Sequence, residues 1–466
     1  MKLHSDIGRF IRSSGIFFAG NILSKAMSLL LLPFYTRLIP VEDMGYFDVS
    51  ITYVNMAISI LFFEIWSAIL RFMYDGKELS DKYGAVKSGG VIFGVSAAVY
   101  LLGILALGWV MDIRYLNLIA GYGLCQCAVS LWSFAARGLG HNVDFALSGI
   151  LNVLCTAAVN ILLILRFHVD FSAMYYGYIC GSMVQIVYLE LRTKVLYRGF
   201  ACKTDWQQVR NMFRYAIPLC MNTVAYWLLT GFNRLAVNWS LGNEANGLLA
   251  IGNRFGMMVT ILTTCFTYAW QDVSFRRASG DRADGRYYTN ACSVYTRFLM
   301  AGMLLILPVC YWVYALMIGK AYAQSLATIP LFLLVGVISA VSSFIGNIFY
   351  AIKDTGTIFW STVLSAAVNV ALVMPCIRLF GINGANISAV AGFIVNIAVR
   401  SLLLRKIEFR FQWLPFALLL AYSAAAFGWF MRLTWAASFG MLLLHLLLAW
   451  MLFRKELGQL LGGREK

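Results

Sequence analysis

The sequence predicts an all-α membrane protein with fourteen transmembrane helices, in two six-helix lobes related by a pseudo-two-fold axis along the membrane normal, plus two C-terminal helices. Three observations lead to this prediction. Hydrophobic residues make up 61% of the 466 residues and charged residues only 12%, whereas soluble domains contain about 25% charged residues. Fourteen apolar stretches are long enough to cross about 30 Å of hydrocarbon as helices. The second half of the chain also repeats features of the first.

The fourteen predicted spans follow one another with short connections. Strands are excluded because the apolar runs are longer than the roughly ten-residue alternating segments of a membrane barrel. Many runs end near aromatic residues, such as Trp109, Trp270 and Trp435, which favour the headgroup region. The predicted bounds are 13–35, 46–70, 88–110, 115–136, 145–165, 172–191, 215–237, 246–269, 293–318, 327–351, 357–379, 384–404, 413–430 and 434–453.

Lysine and arginine residues are concentrated in alternate connections between the spans. With a cytoplasmic N-terminus, the cytoplasmic segments contain 27 of them and the outer segments 7. By the positive-inside rule, this asymmetry predicts that both termini are cytoplasmic. It also accounts for the net charge of +16 without a nucleic-acid partner, because a nucleic-acid-binding protein would carry its basic residues on one soluble face.

An internal repeat is visible in short matching segments that occur in the same order in both halves. The sequence AAVN occurs at 157–160 and again at 366–369. In the first span, Asn21 matches Asn222 of the seventh. The segments VEDMGYFDVS and GNEANGLLAIG, which precede spans two and eight, align Glu42 and Gly45 with Glu244 and Gly247. Six spans per repeat is an even number, so both lobes have the same orientation in the membrane.

The repeat predicts the domain organisation. A basic segment, CKTDWQQVRNMFRY, joins the halves and has Thr204 or Asp205 as a candidate helix N-cap. We interpret it as an amphipathic linker on the cytoplasmic surface, with an ordinary solvated loop as the alternative. The four predicted parts are a lobe at 1–200, the linker at 201–214, a second lobe at 215–408, and two additional helices with a cytoplasmic tail at 409–466.

The ten cysteines predict neither a disulfide nor a metal site. Most lie within predicted spans, where a thiol behaves as a small apolar side chain. The close pair Cys125 and Cys127 is two residues apart, which places the thiols about 200° apart around a helix. No cofactor is expected.

Polar residues inside the spans are the candidate functional residues. A lysine near the bilayer centre costs about 3 kcal/mol, so Lys25 should contact a hydrated cavity or a counter-charge. Its neighbours at helical spacing share its face, namely Asn21, Ser24 and Ser28. Similar stripes are Asp48, Thr52, Asn55 and Ser59 on span two, Asn222, Tyr226, Thr230 and Asn233 on span seven, and Ser361, Ser365 and Asn369 on span eleven, while Asn253 and Arg254 lie on span eight. Together they predict a central cavity lined by both lobes.

The stretch GNILSKAMSLLLLPFYTRLIPVEDMGYFDV, residues 20–49, and its counterpart RYAIPLCMNTVAYWLLTGFNRLAVNWSLGNEANGLLAIGNRF, residues 214–255, resemble polysaccharide-export flippases of the MOP superfamily, the Wzx-type flippases of lipid-linked oligosaccharides. The resemblance covers essentially the whole chain. It implies a multi-pass protein of the bacterial cytoplasmic (inner) membrane that is not an enzyme. By alternating access it would move undecaprenyl-pyrophosphate-linked oligosaccharide to the outer leaflet for surface polysaccharides such as the O-antigen of lipopolysaccharide. Implied partners are this lipid-linked cargo, membrane lipid, a polysaccharide polymerase and a chain-length regulator.

The charges inside the spans favour an anionic cargo. Multidrug exporters of the same superfamily commonly carry a carboxylate in the first helix, where this sequence has Lys25. Lipid II flippases of the superfamily carry cavity arginines on helices one and eight, the helices of Lys25 and Arg254. Both side chains are expected to form charge-assisted hydrogen bonds with a pyrophosphate. The predicted cavity residues are Lys25, Arg254, Asn21, Ser28, Asp48, Asn55, Asn222 and Asn253, with Glu64 and Asp48 as candidates for ion coupling.

Structural alternatives remain for these residues. Lys25 would otherwise pair with Glu64 or Asp48, Arg254 would reach the outer surface, and the Asn and Ser stripes would form ordinary hydrogen bonds between helices. Glu64 lies near the cytoplasmic end, which favours an anchoring role. We expect Arg400 to extend to the cytoplasmic surface and His445 to be unpaired.

Two other functions remain as alternatives. One is a multidrug or cation antiporter of the same superfamily. The other is a membrane glycan polymerase or glycosyltransferase, which is disfavoured because the outer connections are short and contain no acid–base pair that could form a catalytic site.

Overall fold

The computed structural model describes residues 30–76, 78–278, 285–352 and 354–462. Within these ranges the chain forms sixteen α-helices and two 3-10 segments, with no strand. Ten helical segments of the described chain are long and apolar enough to cross a membrane. The predicted all-α membrane fold is therefore confirmed, and the observed helices are consistent with fourteen spans.

The chain divides into two compact units, Met1–Trp227 and Leu228–Lys466. The helices that begin in the first unit are α1 (Leu32–Leu38), α2 (Val41–Leu61), α3 (Ile65–Asp75), α4 (Leu79–Val110), α5 (Leu116–Gly138), α6 (Asn142–Arg166), α7 (Ala173–Thr193), α8 (Val195–Ala201) and α9 (Trp206–Thr230). Those of the second unit are α10 (Phe232–Ala278), α11 (Gly285–Met317), α12 (Ile329–Ala351), α13 (Thr355–Phe380), α14 (Asn383–Leu403), α15 (Trp413–Phe430) and α16 (Trp435–Gly462).

Most helices end within a few residues of the predicted bounds, but the second span does not form one helix. It is divided into α2 and α3 by Phe63 and Glu64, which have φ values of 52° and 55°. These angles are in the left-handed region, which non-glycine residues rarely adopt. The prediction of a continuous helix over 46–70 is wrong, because two successive left-handed residues cannot continue a right-handed helix.

The segment predicted as a linker is helical and continues into the seventh predicted span. Asp205 caps α9, because its Oδ1 accepts hydrogen bonds from the backbone N–H groups of Gln207 and Gln208 at 2.9 and 3.2 Å. This confirms one of the two candidate N-caps. From this cap α9 runs without interruption to Thr230. The segment is therefore one end of a longer helix, and its Trp206 is exposed.

The hairpin of α6 and α7 shows how this chain packs polar side chains inside the first unit. A Cβ atom built on Gly177 would lie 1.9 Å from Oδ1 of Asn160, and one on Gly181 would lie 2.2 Å from Oγ1 of Thr156. Small residues four apart allow the two helices to approach closely. The buried amide of Asn160 then donates from Nδ2 to the hydroxyl of Tyr35 at 2.6 Å, which ties α1 to the hairpin.

In the second unit, the turn after α14 packs against the start of α11. A Cβ on Gly285 would lie 1.8 Å from the carbonyl oxygen of Ile407, so only glycine fits there. On the other side of the turn, Lys406 Nζ lies 3.5 Å from Asp354 Oδ2. A hydrogen bond from the Thr357 hydroxyl, aided by Lys406, holds the pKa of the Asp354 carboxyl below its usual value. Asp354 thereby caps α13 and ties its start to the turn.

Candidate functional site

The polar face of the first span lies outside the described residues. This applies to Lys25, Asn21 and Ser28, and to Ser24 between them. Their roles therefore stay predictions. The other predicted site residues, Asp48, Asn55, Glu64, Asn222, Asn253 and Arg254, are all described.

Asp48 and Asn55 occupy one face of α2, seven residues apart. Asp48 is half-buried and Asn55 is exposed. The two hydroxyl residues of this stripe bond to their own helix: Thr52 Oγ1 donates to the Asp48 carbonyl at 2.7 Å, and Ser59 Oγ donates to the Asn55 carbonyl at 2.9 Å. The two hydroxyls are thus satisfied within α2, and the Asp48 carboxylate and the Asn55 amide are the other polar groups of this stripe.

Glu64 lies at the break between α2 and α3. Its two carboxylate oxygens accept hydrogen bonds from Thr223 Oγ1 of α9 at 3.3 Å and from Ser67 Oγ of α3 at 3.2 Å. It is half-buried and immediately precedes the first turn of α3, where free backbone N–H groups favour a negative charge. On a continuous helix, Asp48 and Glu64 would lie about 160° apart around the helix axis. This relation does not apply here, because the helix is interrupted between them.

Asn222 lies on α9, beside the contact that this helix makes with the break. Its neighbour Thr223 bonds to Glu64, and Cys220 Sγ is 3.2 Å from the Ser59 carbonyl oxygen. Asn222 is half-buried and Tyr226, one turn later, is 50% exposed. The first unit thus has polar side chains at its surface on α2 and α9, and a carboxylate where the broken helix meets α9.

Arg254 and Asn253 lie on α10, and both are half-buried. This helix contains a break at Gly242, whose φ of 83° and ψ of −177° are not helical, so Arg254 lies about three turns into the part that follows. Gly252 and Gly256 pack against α12 and the residue before it, since added Cβ atoms would lie 1.9 Å from Thr328 Oγ1 and 3.0 Å from Phe332 Cβ. A residue two positions away is about 200° around the helix. Arg254 therefore points away from α12.

The comparisons with known proteins are consistent with this geometry. Residues 10–275 match the family of polysaccharide biosynthesis proteins. The chain belongs to this family. No curated protein sequence matches it.

The fold of this family member is similar to solved transporter structures. The lipid II flippase MurJ in an inward closed conformation superimposes with a TM-score of 0.70 at 16% identity, over 96% of this chain and 100% of that chain. An inward-facing multidrug resistance MATE family transporter of the MOP superfamily gives 0.68 at 11% identity, over 82% and 94%. An outward-facing MATE family transporter of the same superfamily gives 0.58 at 16% identity, over 85% and 95%. These likenesses show that the chain shares the fold of these transporters.

Some residues of the predicted polar stripes form hydrogen bonds between helices of this family member. Asn369 Nδ2 donates to Asn233 Oδ1 at 2.8 Å, and Asn233 donates to the carbonyl oxygen of Ala385. Ser361 and Ser365 are buried and bond to carbonyl groups of their own helix. For Asn233 and Asn369 the alternative interpretation, ordinary interhelical bonding, is the one that the structure supports. The Ser361 and Ser365 hydroxyls instead donate within α13.

Arg400 does not extend to the surface, so this prediction is wrong. It is 5% exposed, and its guanidinium donates to three residues on two other helices. The acceptors are the carbonyl oxygen and Oγ of Ser342 at 2.7 and 3.3 Å, Ser361 Oγ at 3.0 Å and Thr362 Oγ1 at 3.2 Å. These partners satisfy the charge within the unit, which removes the reason to snorkel.

His445 is not unpaired. Its Nδ1 lies 2.6 Å from the carbonyl oxygen of Leu304 on α11. A carbonyl can only accept, so Nδ1 carries the proton. The histidine therefore ties α16 to α11.

Two charged clusters of the first unit were not predicted from the sequence. At one end of α6, the Asp144 carboxylate accepts from Arg192 Nε at 2.9 Å and from Tyr188 OH at 3.0 Å, and lies 2.8 Å from His141 Nδ1. The i, i+3 spacing of His141 and Asp144 was the available signal. Among the described residues, no three of His, Cys, Asp and Glu form a group that could hold a metal ion.

The second cluster is centred on Arg114, between α4 and α5. Its guanidinium contacts Asp43 Oδ1 at 3.1 Å and Asp170 Oδ2 at 2.9 Å. Burial raises the pKa of Asp170, but hydrogen bonds from Ser172 and Tyr115 and the charge of Arg114 outweigh it and hold this pKa below its usual value. These partners come from three distant segments, so no local spacing could have indicated the cluster.

Proposed function

We propose that this protein is a flippase that moves an undecaprenyl-pyrophosphate-linked oligosaccharide from the cytoplasmic to the outer leaflet of the bacterial inner membrane. The match of residues 10–275 to polysaccharide biosynthesis proteins carries the proposal. A fold similar, over 96% of the chain, to a protein named as a lipid II flippase supports it. The oligosaccharide is proposed to be an O-antigen unit, which a polymerase and a chain-length regulator then process. The protein itself changes no covalent bond.

The cargo is recognised through its pyrophosphate. Lys25 of the first span and Arg254 of α10 supply the two positive charges, and each is placed within a span by the sequence. Hydrogen bonds between charged partners are about twice as strong as neutral ones. Arg254 faces away from its packed neighbour α12, which supports a role outside the core of its own unit.

The polar residues exposed on membrane helices support a hydrated path for the saccharide. Asn55 on α2 and Tyr226 on α9 are both exposed. Polar groups in contact with hydrocarbon are costly unless water or a partner satisfies them. We assign Asp48, Asn55, Asn222 and Asn253 to contacts with the sugar and phosphate groups of the cargo.

Glu64 is the proposed coupling residue. It lies at an interrupted transmembrane helix, and such interruptions are common at ion and substrate sites of transporters. Binding or release of a proton at this carboxylate would change its hydrogen bonds to Thr223 and Ser67. Because Thr223 belongs to α9, this change would alter how α9 is held against the break. Asp48, on the neighbouring helix α2, is the second candidate for ion coupling.

Glu64→Gln is expected to abolish the pH dependence of flipping while the protein remains as thermally stable as the wild type. The amide keeps an acceptor for one hydroxyl and adds a donor for the other, but it cannot bind or release a proton. The measurement is the initial rate of flipping in proteoliposomes at a series of pH values. Glu42→Gln, at an exposed glutamate of α2, is the matched control. A wild-type pH profile for Glu64→Gln would contradict the assignment.

The function itself is tested with purified protein in proteoliposomes. Undecaprenyl-pyrophosphate-linked oligosaccharide is placed in both leaflets, and a glycan-cleaving enzyme outside the vesicles digests only the outward-facing fraction. We expect the protein to make the protected half of the lipid accessible, and empty vesicles to leave it protected. Ethidium uptake is measured in parallel. Transport of ethidium without flipping would contradict the proposal and favour the antiporter, which the MATE-like fold also permits.

A further inference from the structure

The first unit contains an apolar cavity that the proposed transport path does not use. Its volume is about 230 Å³. Its walls come from α4, α5 and the short helix α8, and the residues that matter here are Lys87, Gly90, Phe93, Trp132, Val195 and Leu196. Most of its lining is apolar, and Lys87 is the charged side chain among the lining residues. A mainly apolar cavity of this size can accept hydrocarbon.

The walls of this cavity are held by hydrogen bonds that do not depend on an occupant. The Glu190 carboxylate accepts from Trp132 Nε1 at 2.9 Å and from the backbone N–H of Leu196 at 3.0 Å, so one side chain fixes both α5 and α8. On the other side, Tyr83 OH donates to the carbonyl oxygen of Thr193 at 2.7 Å. The cavity is therefore formed before anything enters it, which reduces the entropy cost of binding.

The surroundings of the cavity are those of a lipid headgroup region. The apolar stretch of α4 is only 17% buried within the protein, so in a membrane this helix would face lipid along much of its length. On α8, Tyr197 is 78% exposed and Leu196 44%, which is typical of a helix at the membrane interface. Lys194 and Arg198 are exposed beside them. With Lys87 they give three positive charges around the cavity, and the charge distribution of the sequence predicts that this end is cytoplasmic.

We infer that this cavity is a binding site for an anionic phospholipid of the cytoplasmic leaflet, with part of one acyl chain in the cavity and the phosphate beside Lys87. Basic pockets between transmembrane helices on the cytoplasmic side recognise anionic headgroups in this way. A zwitterionic lipid would fill the cavity equally well but would gain less from the three basic residues. The bound lipid would hold α8, which connects α7 to α9, against α4 and α5.

The test is native mass spectrometry of the delipidated full-length protein with dioleoylphosphatidylglycerol or dioleoylphosphatidylcholine. For the wild type we expect one phosphatidylglycerol molecule to bind about fivefold more tightly than phosphatidylcholine, which corresponds to about 1 kcal/mol from Lys87, the basic residue in the cavity lining. Lys87→Ala should remove most of this preference. Equal binding of the two lipids by the wild type would overturn the inference.

Gly90 and Gly94 provide a matched pair of variants on α4. A Cβ at either position meets no atom within 4 Å, but only Gly90 lines the cavity. Gly90→Leu should fill the cavity and eliminate the bound phosphatidylglycerol, whereas Gly94→Leu should retain it. If the leucine variant does not fold, the smaller change Gly90→Val is used in its place. It is expected to weaken phosphatidylglycerol binding partially. Retention of the lipid by both Gly90 variants would overturn the inference.

Undecaprenyl phosphate is added as a competitor, because it shares the phosphate and hydrocarbon chemistry. If undecaprenyl phosphate displaces the bound phosphatidylglycerol at a lower concentration than phosphatidylglycerol needs to occupy the site, the cavity belongs to the cargo. That result would overturn the inference. Failure to compete supports it. All these measurements are of binding in detergent, so their outcome is independent of whether the protein flips its proposed cargo.

Discussion

Lys25→Ala and Arg254→Ala are each expected to reduce the rate of flipping at least tenfold at equal protein amount. A hydrogen bond to a charged group contributes about 1.5–3 kcal/mol, and 1.4 kcal/mol corresponds to a factor of ten. The loss is expected because a pyrophosphate that leaves water must exchange its hydration for these two partners. The measurement is the initial flipping rate in proteoliposomes, normalised to reconstituted protein.

Conservative and distant variants separate cargo binding from general effects of charge. Lys25→Arg should retain much of the activity, because it keeps the charge and adds donors in a fork that suits phosphate. Arg166→Ala removes an exposed arginine at the end of α6 and should have no effect. Full flipping by both alanine variants of the proposed pair would show that Lys25 and Arg254 are structural.

The double variant gives a sharper test of a shared ligand. If Lys25 and Arg254 contact the same pyrophosphate, the loss in the double variant should be smaller than the product of the two single losses. Residues that share a partner show such coupling, whereas independent sites are additive. Strict additivity would indicate that the two residues act at separate steps or on separate groups of the cargo.

The helices could be predicted well from the sequence because an apolar run of suitable length has few alternatives in a bilayer. The thirteenth span, predicted at 413–430, is α15 at Trp413–Phe430. The break at Phe63 and Glu64 could not be predicted in this way. Neither residue is a glycine or proline, the usual signals of an interruption. Contacts from Thr223, distant in sequence, hold Glu64 in place.

The polar residues inside the spans could be identified from the sequence, but not their partners. Helical spacing grouped Ser361, Ser365 and Asn369 on one face of α13, and all three are buried in the second unit. Whether such a face meets a cavity or another helix depends on how the helices pack. The spacing of residues within one helix carries no information about that packing. Asn233 and Asn369 bond to each other although they are 136 positions apart.

Arg400 shows the same limit most clearly. Its place near the end of α14 that is predicted to be cytoplasmic led us to expect an exposed guanidinium, yet it is 5% exposed. The hydroxyls that surround it come from α12 and α13, at Ser342, Ser361 and Thr362. The small residue Gly346 makes room for it, since a Cβ there would lie 2.9 Å from Nη1. The guanidinium thus joins three helices of the second unit.

Arg400→Ala is accordingly expected to destabilise the protein by about 3 kcal/mol, because it removes these hydrogen bonds and leaves a cavity. The exposed Arg405, five residues later, is the matched control, and Arg405→Ala should change stability by less than about 0.5 kcal/mol. Thermal unfolding of the purified proteins in detergent measures both. Equal melting temperatures for the two variants would mean that Arg400 does not join the helices in the membrane.

Arg400→Met distinguishes the hydrogen bonds from the volume of the side chain. Replacing a buried charged group by an apolar one of similar size can be neutral, because the cost of desolvating the charge is removed. If volume dominates, Arg400→Met should melt near the wild type and Arg400→Ala well below it. If the bonds to Ser342, Ser361 and Thr362 dominate, Arg400→Met and Arg400→Ala should both melt well below the wild type. In that case Gly346→Ala, which displaces the guanidinium, should also lower the melting temperature.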